Sequence, residues 1–159
     1  MDAKASAKSA ARVKELRVNE QKWSKLLMDA GWTAIPVIIF ERQRALDLDP
    51  LDVNIVLHLA GFWWKADNKP HPSKTRIADA IGVAPRTVQR RIAMLEKAGY
   101  IQREERRIPG GASRTNIYHF DGLIKAALPL AHEKLSERKK RAEEERARTR
   151  RKRPRLAIV

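Results

Sequence analysis

The stretch SKTRIADAIGVAPRTVQRRIAMLEKAGYIQREERRIPGGASRTNIYHFDG, residues 73–122, decides the fold. It reads as a helix, a tight turn, a second helix and a two-stranded hairpin with a glycine-rich tip. Ser73 can cap the first helix, whose apolar residues Ile77, Ala78 and Ile81 recur at helical spacing. Gly82 supplies the left-handed backbone that ends it. Val83 plugs the turn, and Pro85 suits the first position of the next helix, where a missing N–H costs nothing. That second helix runs to Gly99, a further stop, with Val88, Ile92 and Leu95 on one stripe.

The opposite face of the second helix carries Arg86, Arg90 and Lys97, with Ala93 between them and Gln89 at the edge. It is the face a DNA groove would meet. Past Gly99, Tyr100, Ile101 and Ile108 flank the polar run QREERR as a half-exposed strand, and Ile117, Tyr118 and Phe120 form the returning one. The intervening loop, broken by Pro109, Gly110 and Gly111, carries Arg114 with Ser113, Thr115 and Asn116. Flanked by Arg106 and Arg107, it has the chemistry of a phosphate or minor-groove contact.

The run IADAIGVAPRTVQRRIAMLEKAGYI, residues 77–101, resembles the winged helix-turn-helix domains of bacterial transcriptional regulators and of phage and plasmid replication proteins. The phasing of Gly82, Val88, Leu95 and Gly99 carries the resemblance. Such families often place Ser or Thr before the second helix, where this chain has Ala84 and no side-chain cap. The resemblance implies that Pro85 to Ala98 enters the major groove. Arg86, Gln89 and Arg90 then lie nearest base edges, since Arg suits guanine and Gln suits adenine. Lys74, Thr75, Arg91 and Lys97 are expected on phosphates, with Thr87 beside them and Arg106, Arg107, Ser113, Arg114 and Thr115 placing the wing. Arg91 also borders the core stripe, so a structural role for its stem competes with a phosphate contact.

The whole composition agrees with a polyanionic partner: 34 Lys+Arg stand against 19 Asp+Glu in 159 residues, a formal net charge of +15. No run approaches the ~18 apolar residues of a spanning helix, and the polar N-terminus does not read as a signal peptide. A soluble cytoplasmic, nucleoid-associated protein with no membrane partner is expected. The cysteine count of zero removes disulfides, thiol nucleophiles and cysteine-based zinc sites together.

Outside the motif, Val13, Leu16, Trp23, Leu27 and Ala30 follow a rough heptad that Glu20 interrupts and Gly31 ends. Packing onto the winged domain and a dimer seam are the competing readings. Pro36 is expected to open a short core helix through Ala45. Asp49 caps another, with Pro50 first, Asp52 in its first turn, and Leu51, Ile55, Val56 and Leu59 inside. Phe62, Trp63 and Trp64 end it and read as core, although aromatics could stack on bases. After Asp121 a helix with Ile124, Leu128, Ala131 and Leu135 meets Pro129, an expected kink or restart. Beyond Leu135 there is no apolar face, so the segment reads as a solvated helix or a disordered arm; Arg146 to Arg155 carries no acid, and simple solvation and a nucleic-acid-binding arm are its competing readings.

Catalytic constellations are missing. His58, His71, His119 and His132 are scattered singly without metal-ligand spacing, and Gly110–Gly111 lacks the lysine and hydroxyl of a phosphate-cradling loop. Glu104 and Glu105, adjacent on a strand, point to opposite faces. The expectation is therefore a mainly α protein with a small β-hairpin: a winged helix-turn-helix at 32–122, an N-terminal helical extension at 1–31, and a C-terminal helix with a basic tail at 123–159. It would bind double-stranded DNA sequence-specifically as a transcriptional regulator, without catalysis, cofactor or metal. A replication initiator on origin repeats, RNA binding and a protein-interaction module are the rivals, and a homodimer through the N- or C-terminal helices is open.

Overall fold

The structure, a computed structural model, describes residues 18–65, 67–106 and 115–151, without the side chains of Arg150 and Arg151. Several expected features lie outside the described residues: the N-terminal part of the heptad with Val13 and Leu16, the hairpin tip with Arg107, Ser113 and Arg114, and the tail beyond Arg151. The chain divides into two compact units, 1–34 and 35–159.

In the first unit, residues 18–23 are helical and a helix α1 follows at Lys25–Ala30. The heptad predicts one continuous helix here, but Ser24 interrupts it with a positive φ of 74°. Its hydroxyl accepts the Leu27 N–H at 3.4 Å, so a residue that competes well for backbone donors restarts the helix as a cap.

The second unit begins with a single helical turn, α2 (Ile38–Glu41), and turns continue to Asp47. Pro36 does not open a helix through Ala45. The reason lies in Leu46 and Leu48, both buried. Residues two apart lie far round a helix from each other, so the chain leaves helical geometry, passing Asp47 at φ 50°, to bring both inward.

Helix α3 (Pro50–Gly61) starts with a reciprocal capping box. The Asp49 side chain accepts the Asp52 N–H at 2.9 Å and the Asp52 side chain accepts the Asp49 N–H at 3.1 Å. Val53, Ile55, Val56 and Leu59 are buried, while Leu51 is half-buried against the core. Helix α4 (Lys74–Ile81) is capped by Ser73, whose Oγ accepts the Arg76 N–H at 3.1 Å. It ends at Gly82, φ 78°, whose N–H returns to the Ala78 carbonyl. Helix α5 (Pro85–Lys97) follows from Ala84, which offers no side-chain cap. Its Val88, Ile92 and Leu95 are buried as the stripe predicts.

Strands β1 (Gln102–Glu104) and β2 (Ile117–His119) pair antiparallel, with Arg103 opposite Tyr118. The Tyr118 N–H donates to the Pro70 carbonyl at 2.9 Å, so the loop after α3 lies along β2. Helix α6 (Asp121–Arg151) then runs through Pro129 without restarting. Leu123 and Ala127 anchor its first turns in the core, Lys134 pairs with Glu41 of α2, and from Leu135 onward the described side chains are exposed. Its charged portion is a solvated helix, with Glu137–Arg141 and Lys139–Glu143 as i,i+4 pairs. The aromatic trio divides: Trp63 stacks on Phe120 at 5.6 Å between centroids, whereas Trp64 is exposed to solvent.

Candidate nucleic-acid interface

Three apolar anchors fix the rotation of α5. With Val88, Ile92 and Leu95 buried, the side chains about half a turn away face solvent, and Arg86, Gln89, Arg90, Ala93 and Lys97 are all exposed. Thr87 sits half-buried between the two faces. The tight turn at Gly82 brings the first turn of α4 beside the start of α5. Lys74 and Thr75 of α4 share a concavity of about 940 Å³ with Arg86, Thr87, Gln89 and Arg90. Among the described residues, three cations and three polar side chains line it, and no carboxylate does.

Arg91 is placed differently. One residue beyond Arg90, it turns back onto the α3 capping box, where its guanidinium pairs with Asp49 and lies 3.5 Å from Asp52. The structural role that the sequence allows this residue is present in the pairing with α3. Asp52 is nearly inaccessible, and that burial, first among the influences on it, pushes its carboxyl above the ordinary Asp value. Asp52 Oδ1 and Arg91 Nε have no hydrogen-bond partner among the described residues.

At the hairpin, the Arg106 guanidinium donates to the Thr115 carbonyl at 2.8 Å and to the Thr115 hydroxyl at 3.0 Å. These two expected contact residues thus brace the root of the wing. Arg103 pairs with Glu96 of α5 at 3.3 Å, and His119 Nε2 lies 3.0 Å from Glu104 across the strands. Sequence reasoning gives no role to Arg103, which lines a second concavity of about 490 Å³ with Ser73, Lys74, Thr75, Gln89 and Asn116. The signal for it is its position opposite Tyr118, because alternation along β1 turns it toward the helices.

Among the described residues no group of three or more His, Asp or Glu could hold a metal ion, and no helix is long and apolar enough to cross a membrane.

Residues 46–101, which span α3, α4, α5 and the entry to β1, match the family model described as a helix-turn-helix domain. This segment is a helix-turn-helix domain. With the β1–β2 hairpin it makes a winged helix-turn-helix. Among solved structures, the domain and its flanks are similar in fold to the N-terminal domain of DnaD protein from Geobacillus kaustophilus HTA426. The TM-score is 0.51 at 14% identity, covering 75% of this chain and 96% of that one. A possible transcriptional regulator from Methanosarcina mazei Go1 aligns at 20% identity over 65% of this chain and 82% of that one, with a TM-score of 0.40. No curated protein matches the chain.

Proposed function

We propose that the protein reads double-stranded DNA through α5 and acts as a transcriptional regulator. The observation that carries this reading is the concavity shared by α4 and α5, where Lys74, Arg86 and Arg90 converge with Gln89 and no acid intervenes. Arg and Gln are the side chains that pair bidentately with guanine and adenine in the major groove, and Lys74 with Thr75 supplies phosphate donors at its edge. Thr87, Lys97, Arg106, Arg107, Ser113, Arg114 and Thr115 extend the contact set along α5 and the wing. The protein is then a binding module without catalysis, cofactor or membrane partner, and its place is the nucleoid. A homodimer through the N- or C-terminal helices would set two such faces on neighbouring half-sites. Use of the same face on repeated origin sites, as a replication initiator does, is the alternative that the resemblance to phage and plasmid replication proteins keeps open.

Selection of binding sites from random duplexes tests the reading. Arg86→Ala or Arg90→Ala should cost about 1–3 kcal/mol on the selected site and relax base choice at one position. Variants that bind every sequence as the unaltered protein does would exclude α5 as the reading helix.

A further inference from the structure

The cationic face of α5 does not stop at α4. The concavity that holds Arg86 and Arg90 shares Lys74, Thr75 and Gln89 with the second one, and the second shares Pro72, Ser73 and Thr115 with a third of about 320 Å³. Together they make a trough that passes the first turn of α4 and the root of the hairpin and reaches Phe62 at the end of α3. The far end has its own chemistry. Arg76 is exposed there, its guanidinium carbon 4.7 Å from the centroid of the Phe62 ring. A guanidinium held over a ring face keeps N–H donors for an acceptor, since it carries five of them. The stack also holds a long side chain in one region, so less freedom is lost when an anion binds. His71 stands beside it, with Nδ1 donating to the Lys69 carbonyl at 3.0 Å, and Ser73 caps the same turn of helix. The middle stretch carries Glu105 together with Lys74 and Arg103, and Arg76 is the cation of the far end.

We infer that a duplex read by α5 continues along this trough, and that Arg76, stacked on Phe62, holds a backbone phosphate of base pairs outside the segment that is read. The inference rests on the DNA reading proposed above. The base-reading candidates Arg86, Gln89 and Arg90 line the first concavity, Arg76 lines the third, and those two have no lining residue in common. A phosphate at Arg76 therefore belongs to flanking DNA. It adds affinity without adding sequence preference.

The experiment compares two duplexes: the minimal selected site, and the same site extended by about half a helical turn at each end. Binding is followed by fluorescence anisotropy at several salt concentrations. The unaltered protein should bind the extended duplex about three- to tenfold more tightly. Arg76→Ala should match it on the minimal duplex yet lose that gain, with a salt slope lower by about 0.9 on the extended duplex alone, the value of one phosphate contact. Phe62→Leu, which removes the ring and keeps the cation, should lose part of the gain. If Arg76→Ala weakens both duplexes equally, or neither, the flanking site does not exist. If the unaltered protein binds neither duplex, the DNA reading itself fails, and this inference falls with it.

Discussion

Gly122 shows how little room one residue can leave. A Cβ built there would lie 1.7 Å from the Gly99 carbonyl oxygen and 2.8 Å from the Gly99 carbonyl carbon. Two loop ends, the one leaving α5 and the one entering α6, therefore cross backbone to backbone. The Leu123 N–H to Tyr100 carbonyl bond, 2.9 Å, ties the same crossing. Because the obstacle is main chain, no rotamer change relieves it. Gly122→Ala should lower unfolding free energy by about 2–3 kcal/mol, read from urea denaturation. An unchanged midpoint would mean that the crossing is looser than this geometry. Asp52 gives a second prediction at this scale. Its carboxyl is raised above the ordinary value by burial, so the folded state binds its proton more tightly than the unfolded chain does. Asp52 thus favours folding more as pH falls, an effect complete below the unfolded Asp range and lost as pH rises through the folded value. Asp52→Asn removes it. Between pH 7 and 4 the variant should lose more stability, or gain less, than the unaltered protein, and superimposable pH profiles would contradict the assignment.

Between elements, the main polar link joins α3 to α5 through Arg91 and the two aspartates of the capping box. This pairing competes with the phosphate contact that the sequence also allows Arg91. Arg91→Met keeps the aliphatic stem and removes the pairing, leaving Asp52 buried without its cation. It should cost about 1–3 kcal/mol of stability while the salt slope of DNA binding stays unchanged. A slope lower by about one unit would instead place Arg91 on the DNA. Much of this level was legible in advance. Caps at Asp49 and Ser73, the stop at Gly82 and the α5 stripe depend on residues close in sequence, where local chemistry decides the outcome. The segment from Pro36 to Leu48 was not, because the burial of Leu46 and Leu48 is set by partners distant in the chain. Tyr100, whose hydroxyl donates to the Leu46 carbonyl at 2.7 Å across 54 positions, is one of them. The outward face of α5 could be read from periodicity alone. The inward turn of Arg91 could not, since its acids come from another helix.

At the scale of the molecule, positive charge is spread well beyond the helix-turn-helix domain. Helix α6 has 31 residues, roughly 46 Å at helical rise, and only its first turns touch the core. Removing residues 146–159 should leave the thermal midpoint nearly unchanged, because the described side chains among them are exposed. Non-specific affinity should fall, and the salt slope should drop by about one unit for each phosphate the arm holds, with base preference intact. A truncated protein that unfolds, or that keeps its full slope, would count against an arm that binds DNA.

The Tyr118 to Pro70 hydrogen bond carries a consequence for crowding. A two-stranded ribbon offers unpaired backbone on its outer sides, where another chain can add a strand and begin an aggregate. Here the Pro70 carbonyl takes up the outward Tyr118 N–H on the β2 side, and Pro70 is a buried proline, which has no N–H to recruit a further strand. On β1 the three residues are Gln102, Arg103 and Glu104, a polar and charged edge that resists docking. Many copies could therefore lie side by side along one polyanion without their hairpins zipping into a shared sheet.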